Sequence, residues 1–201
     1  MFKNIIFDFG GVLVDWNPKY LYKKLFAEEA AMEEFLGNVC TSDWNEQQDE
    51  GRTLKEGTEA LVQCFPEKKE LIEAYYGRWE EMLAGPIAGT VAILEQLKKS
   101  GKHKLFGLTN WSAETFPIAL RRFDFFSLFD GILVSGTERL RKPHPAFYQL
   151  LLDRYHLMAN ECLFIDDNIR NTDAARQFGI QSITFENPDQ LKEELIRLQV
   201  L

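Results

Sequence analysis

The sequence predicts an α/β fold, a doubly wound parallel sheet with a helical segment inserted after its first strand. Three observations carry that prediction. A short β-prone apolar run, Phe2 to Phe7, ends at Asp8-Phe9-Gly10-Gly11, as a buried parallel strand ends in a turn. From Pro18 to about Leu83 the apolar residues recur at helical spacing. Beyond Gly85-Pro86, strand-like and helix-like segments alternate, which specifies parallel strands with crossover helices on both faces.

Taken in order, the insert reads as helix at Tyr20-Leu21-Lys24-Leu25, at Leu54-Ala60-Leu61 behind Thr53, and at Leu71-Ile72-Tyr75-Tyr76-Trp79. The alternating part predicts a helix over Val91–Lys99, a strand over Lys104–Leu108, a helix over Ala113–Arg121 and a strand over Gly131–Val134. It continues with a helix over Ala146–Tyr155, a strand over Cys162–Ile165, a helix over Ala174–Phe178, a strand over Ser182–Phe185 and an amphipathic helix over Pro188–Leu198. No internal repeat, low-complexity tract or flexible linker interrupts the pattern.

A chain of 201 residues exceeds a usual single domain of about 100–150 and falls short of two, so residues 1–15 and 85–201 are expected to form one core, with 16–84 as a helical cap. The 31 acidic against 23 basic residues give a net charge of -8, which disfavours nucleic acid and anionic membranes as partners. Cys40, Cys64 and Cys162 form neither a metal-ligand pair nor a disulfide framework and read as core thiols of a reducing compartment. Asp8 interrupts the first apolar run too early for a signal-peptide core, and no later stretch approaches the length of a membrane span, so a cytoplasmic protein is expected. Nothing in the chain sets an oligomeric state; a monomer is the default.

In such sheets, sites form at the carboxyl ends of the strands. Here those ends carry Asp8, Thr109-Asn110, Ser135 with a loop reaching Lys142, and Asp166-Asp167. Two adjacent carboxylates near a third repel unless a cation holds them, and Mg²⁺ takes one or two carboxylates together with water and phosphate oxygens. With a metal and Lys142 present, Asp8 can attack phosphorus and form an aspartyl-phosphate that water hydrolyses. Lys142, the Thr109 hydroxyl and the Asn110 backbone N–H would neutralise charge on the phosphoryl oxygens. Mg²⁺ and a small phosphorylated metabolite are therefore the expected cofactor and partner.

At these residues the sequence resembles the haloacid dehalogenase-like hydrolase superfamily. Asp8-Phe9-Gly10-Gly11-Val12-Leu13-Val14-Asp15 is similar to its first motif and Leu108-Thr109-Asn110 to its second. Arg141-Lys142-Pro143-His144-Pro145-Ala146-Phe147-Tyr148 is similar to its third, and Phe164-Ile165-Asp166-Asp167-Asn168 followed by Asn171 to its fourth. The resemblance spans essentially the whole chain and implies a Rossmann-like core with a helical cap. It implies Asp8 as nucleophile and metal ligand, Thr109 and Asn110 as phosphate-binding residues, and Lys142 as the charge-neutralising lysine. Asp167 aligns with the directly ligating acid, Asp166 with a residue that binds through water or orients its neighbour, and Asn171 with a residue that steadies the loop. The implied activity is an Mg²⁺-dependent phosphoric monoester hydrolase, with a 2-haloacid dehalogenase and a catalytically silent phospholigand-binding protein as alternatives.

One departure bears on mechanism. Family phosphatases carry a second aspartate two residues after the nucleophile to protonate the leaving alcohol, and that position is Gly10. Its backbone carbonyl can still ligate the metal, but general acid catalysis, worth about 10²–10⁴ in rate, loses its usual donor. Three readings follow: leaving groups that need little protonation, an acid borrowed from the cap, or lost catalysis. The same Asp-x-Gly opening resembles the branch of α-D-glucose-1-phosphate phosphatases, and the chain also resembles the phosphatase domain of soluble epoxide hydrolases, so a sugar phosphate is one candidate substrate. His144 reads as a helix cap before a proton donor, Trp16, Trp44 and Trp79 as core before sugar platforms, and Asp43–Glu50 as a solvated helix face, with Glu50-Gly51-Arg52 as a polar loop facing the site.

Overall fold

The computed structural model describes residues 2–201. Strand β1 (Asn4–Phe7) leads to β2 (Val14–Trp16), then to helices α1 (Lys19–Tyr22), α2 (Glu29–Asn38), α3 (Ser42–Asp49), α4 (Leu54–Cys64) and α5 (Lys69–Gly77), and to β3 (Leu83–Pro86). The alternating part follows as α6 (Ala88–Ser100), β4 (Lys104–Thr109), α7 (Phe116–Arg122), β5 (Gly131–Val134), α8 (Ser135–Glu138) and α9 (Pro145–Tyr155). It ends with β6 (Cys162–Asp166), α10 (Ile169–Gln177), β7 (Gln181–Thr184) and α11 (Pro188–Arg197).

Five strands pair in parallel in the order β5-β4-β1-β6-β7, so the winding reverses beside β1, between β4 and β6. Strand alternation sorts the side chains onto two faces. Ile6, Phe106, Leu108 and Phe164 pack on Phe147, Tyr148 and Leu151 of α9 and Ala175 of α10. Ile5, Phe7, Leu105, Leu163 and Ile165 share the other cluster with Ile93, Leu94 and Leu97 of α6 and Leu191 and Leu195 of α11. Both faces of the sheet are therefore covered, which is why its strands read as nearly continuous apolar runs.

Local chemistry sets the helix starts. Thr41 caps α3 by accepting from Trp44 N at 3.1 Å, and Thr53 with Glu56 forms a capping box on α4. Within the helical insert, Tyr22 is buried and donates its hydroxyl to Leu71 O at 2.8 Å, tying α1 to α5. The insert leaves and rejoins the core through an antiparallel ribbon of β2 and β3, which sequence reading treated only as a break at Gly85-Pro86. At 3 and 4 residues, those strands are too short for alternation to register.

One further boundary and one burial differ from expectation. Helix α10 begins five residues early, at Ile169, because the Asn168 side chain caps it by accepting from Arg170 N at 3.0 Å; its polar first turn carries no periodic signal. Cys40 and Cys162 are buried, but Cys64, the last residue of α4, is exposed and is not a core thiol. Among the described residues no helix is long and apolar enough to cross a membrane.

Candidate active site

Parallel register sets the site. Phe7 lies opposite Ile165, and Asp8 N donates to Ile165 O at 2.8 Å, so Asp8 leaves β1 level with Asp166 at the end of β6. Phe7 also pairs with Gly107 of β4, which places Thr109, the last residue of that strand, in the same row of strand ends. This is the reversal point of the winding, where sheets of this kind bind ligands.

Two glycines permit the close approaches. A Cβ at Gly107 would lie 2.2 Å from Phe9 Cζ, so the Phe9 ring folds over β4 and anchors the turn after Asp8. Gly11 has φ +76°, and a Cβ there would meet Asp167 Oδ2 at 2.3 Å, so only glycine lets that carboxylate in. A Cβ at Gly10 would meet nothing within 4 Å; the position that lacks the expected aspartate is open space.

Carboxylate oxygens of Asp8, Asp166 and Asp167 lie within 4.8 Å of one another. Lys142, fully buried, sits between two of them, with Nζ 2.9 Å from Asp8 Oδ2 and 2.7 Å from Asp166 Oδ2. Burial would lower the Lys142 ammonium, but Asp166 and Asp8 outweigh burial and hold it above its ordinary value. For Asp8, burial dominates over the Lys142 charge and, with Asp166 and Asp167 adding repulsion, pushes the carboxyl well above its ordinary range. Burial and the neighbouring Asp166 likewise raise Asp167. One ammonium against three carboxylates leaves the cluster short of positive charge.

The remaining contacts separate the two adjacent acids. Asp166 is saturated: Lys142 Nζ and Asn171 Nδ2 donate to Oδ2, and Asn168 N and Asn171 Nδ2 donate to Oδ1. Tyr148 donates to the Asn171 backbone O at 2.9 Å and so holds the residue that supplies that amide. Asp167 makes no ion pair among the described residues and lines the crevice. The Asn110 side chain is consumed in a paired contact with the Lys142 backbone, donating to its O and accepting from its N, both at 2.9 Å. Thr109 Oγ1 is buried with no partner.

Above these strand ends lies a crevice with two lobes that share Trp16, Asn45, Asp49 and Asn110. One lobe holds Asp8, Asp167, Asn168 and Asn171. The other holds Gly10 and the aromatic side chains of Trp16, Tyr76, Trp79 and Trp111. The helical insert is fastened across the crevice by Arg141 to Glu46 and Glu50, by Arg170 to Glu46, by Leu54 N to Glu114 and by the Ser135 hydroxyl to Asp49 O.

The sequence-predicted residues Asp8, Gly10, Thr109, Asn110, Lys142, Asp166 and Asp167 thus all stand at the sheet's carboxyl edge. His144 is exposed and caps α9, its Nδ1 accepting from Ala146 N at 3.2 Å. Trp44 and Trp79 are buried, as expected, while Trp16 lines both lobes and keeps an unpartnered indole N–H. Glu50-Gly51-Arg52 does not line the crevice; Glu50 pairs with Arg141, and Arg52 Nε donates to Gln48 Oε1 at 2.6 Å. Asp49 departs from expectation: it belongs to the acidic run Asp43–Glu50 expected to be a solvated helix face, yet it lines both lobes of the crevice. Its signal was present: Trp44 and Gln48 form the buried stripe of α3, and Asn45 and Asp49 stand one residue further round the same face.

Comparison with known proteins shows the family. Residues 5–185 match the family model described as haloacid dehalogenase-like hydrolase. The chain belongs to that family. It is 31% identical to a sesquiterpene phosphatase of Aspergillus oryzae over 181 residues, covering 89% of this chain and 87% of the relative. It is 27% identical to drimenol cyclase of Aspergillus calidoustus across 98% of its own length, but it spans only 37% of that protein. Among solved structures, the magnesium complex of a family enzyme from Bacteroides thetaiotaomicron superposes with a TM-score of 0.72 at 20% identity, covering 98% of each chain. The chain carries that family's fold.

Proposed function

We propose that the protein is an Mg²⁺-dependent phosphatase that hydrolyses a small phosphate monoester through an aspartyl-phosphate on Asp8. The observation that carries this reading is the charge imbalance at the strand ends: three carboxylates within 4.8 Å share one buried ammonium. A metal-free carboxylate nucleophile of the dehalogenase type would gain nothing from two further anions beside it. The buried, partnerless Thr109 hydroxyl fits a phosphoryl oxygen in the same place.

The donor set is all oxygen and rich in carboxylate, which suits Mg²⁺. Asp8, Asp167 and the Gly10 carbonyl would hold the ion, with Asp166 behind them; when bound, it neutralises charge on the transferring phosphoryl group. Asp8 attacks phosphorus, and its phosphate is then released by water. Lys142, held rigidly by Asp166, orients the Asp8 carboxyl, opposes the protonation that burial favours there, and offsets the charge gathering on the equatorial oxygens. Asn110 sets the height of Lys142 through its two backbone hydrogen bonds. The aromatic lobe beside Gly10 suits an organic group with an apolar face, such as a sugar ring or a terpenoid chain.

The test is phosphate release from p-nitrophenyl phosphate and from a panel of sugar, nucleotide and terpenoid phosphates, with and without EDTA. Turnover that requires Mg²⁺ and vanishes in Asp8→Asn, with the fold intact by circular dichroism, is the expected result. Turnover indifferent to chelator, or halide release from 2-haloacids, would overturn the reading.

A further inference from the structure

Gly10 leaves the reaction without the acid that would protonate the leaving oxygen, yet the lobe into which position 10 opens contains one carboxyl, that of Asp49. Asp49 ends α3 in the helical insert and lines both lobes of the crevice. A monoester whose phosphoryl group meets Asp8 and whose organic part rests in the aromatic lobe must pass its bridging oxygen through the junction of the two. The junction is Trp16, Asn45, Asp49 and Asn110, and of these only Asp49 can exchange a proton in the working range. We infer that Asp49 is the general acid of this enzyme, supplied from the insert in place of the missing side chain at position 10.

Its surroundings hold it for that task. Asn45 Nδ2 donates to Asp49 Oδ2 at 2.8 Å, and Asn45 is itself fixed by the Tyr76 hydroxyl at 2.9 Å. Ser135, the residue directly after β5, accepts from Trp111 N and donates to Asp49 O, so the core strand ends position the helix terminus that carries the acid. Burial pushes the Asp49 carboxyl up to about 7; the Ser112 N–H, Arg141 and Asn45 oppose that shift and Glu46 assists it, while Tyr75 and Tyr76 pack alongside as neutral phenols. The group is then half protonated near neutrality, the condition for efficient proton transfer. Glu46 lines the nucleophile lobe but is committed to Arg141 and Arg170.

The step balances. As the Asp8 oxygen forms its bond to phosphorus, the bond to the leaving oxygen breaks with its electron pair, and that oxygen takes the Asp49 proton and departs as the alcohol. In the second step a water oxygen attacks the phosphorus of the Asp8 phosphate and gives its proton to the Asp49 carboxylate, while the phosphorus–oxygen bond to Asp8 breaks with its electron pair; inorganic phosphate leaves, Asp8 returns as a carboxylate and Asp49 as the acid.

This inference rests on the phosphatase reading, and the experiment separates the two. The kcat/KM of the unmodified protein and of Asp49→Asn is measured on phenyl phosphate and p-nitrophenyl phosphate, which differ chiefly in the acidity of the leaving phenol. Asp49→Asn should lose about 10²–10⁴-fold on phenyl phosphate and at least about ten-fold less on the nitrophenyl ester. Across a wider aryl series the unmodified protein should show a shallow dependence on leaving-group acidity, a readout that needs no variant to fold. Equal losses on both esters, no loss on either, or a steep dependence in the unmodified protein would overturn Asp49 while leaving the phosphatase standing. Failure of the unmodified protein to cleave either ester removes the phosphatase reading and this inference with it.

Discussion

Asp49 carries a physical signature that can be read without any substrate. Its carboxyl titrates near 7 in the folded chain against an ordinary value of 3.8, because burial disfavours the charged form. The folded state therefore holds this proton more tightly than the unfolded state. The contribution to stability is fully present below about pH 4 and is lost as pH rises through 7. Asp49→Asn removes that loss. Its unfolding free energy relative to the unmodified protein should rise between pH 4 and pH 8, by a few kcal/mol at most, since the side chain is half-buried and part of it faces the crevice. Urea unfolding at several pH values measures the difference; parallel pH profiles for the two proteins would contradict the assigned environment. The same desolvation that would make the carboxyl useful as an acid makes it a liability to folding at high pH.

At the scale of elements, the site is a set of strand ends brought level by parallel register and closed by turns that tolerate close contact. The turn after β1 depends on Gly11, whose positive φ and contact with Asp167 exclude a side chain. Gly11→Ala should destabilise the fold by about 1 kcal/mol or more from backbone strain alone. It should also displace Asp167 and weaken Mg²⁺ binding, read as the loss of a Mg²⁺-dependent rise in Tm. An unchanged Mg²⁺ response would show that Asp167 is not a ligand. Much of this arrangement was legible in the sequence, because each strand that reaches the site couples an apolar run to a polar residue at its end: Phe7 to Asp8, Leu108 to Thr109, Ile165 to Asp166. What stayed hidden depends on contacts between distant segments. Gly107 carries no local mark of the Phe9 ring above it, and the β2–β3 ribbon pairs residues nearly seventy apart in sequence. Asp49 could not be separated from its exposed acidic neighbours until α5 and the strand ends were seen to enclose it.

For the whole molecule, the sheet brings Asp8, the Lys142 ammonium, Asp166 and Asp167 to one edge, and the helical insert supplies aromatic walls and Asp49 from across the crevice. The Arg141 and Arg170 ion pairs that fasten the two parts are partly exposed, so each is worth no more than about 1 kcal/mol and none locks the crevice shut. The chemistry assigned to this arrangement stands or falls on a bond to Asp8. The most direct measurement mixes the protein and Mg²⁺ with a phosphate monoester labelled in its phosphoryl group, quenches in acid within a single turnover, and maps the labelled peptide. The account predicts a hydroxylamine-labile phosphoryl group on the peptide carrying Asp8, absent with EDTA and absent in Asp8→Asn. Burst-phase turnover with no label on that peptide, or label on another residue, would contradict it.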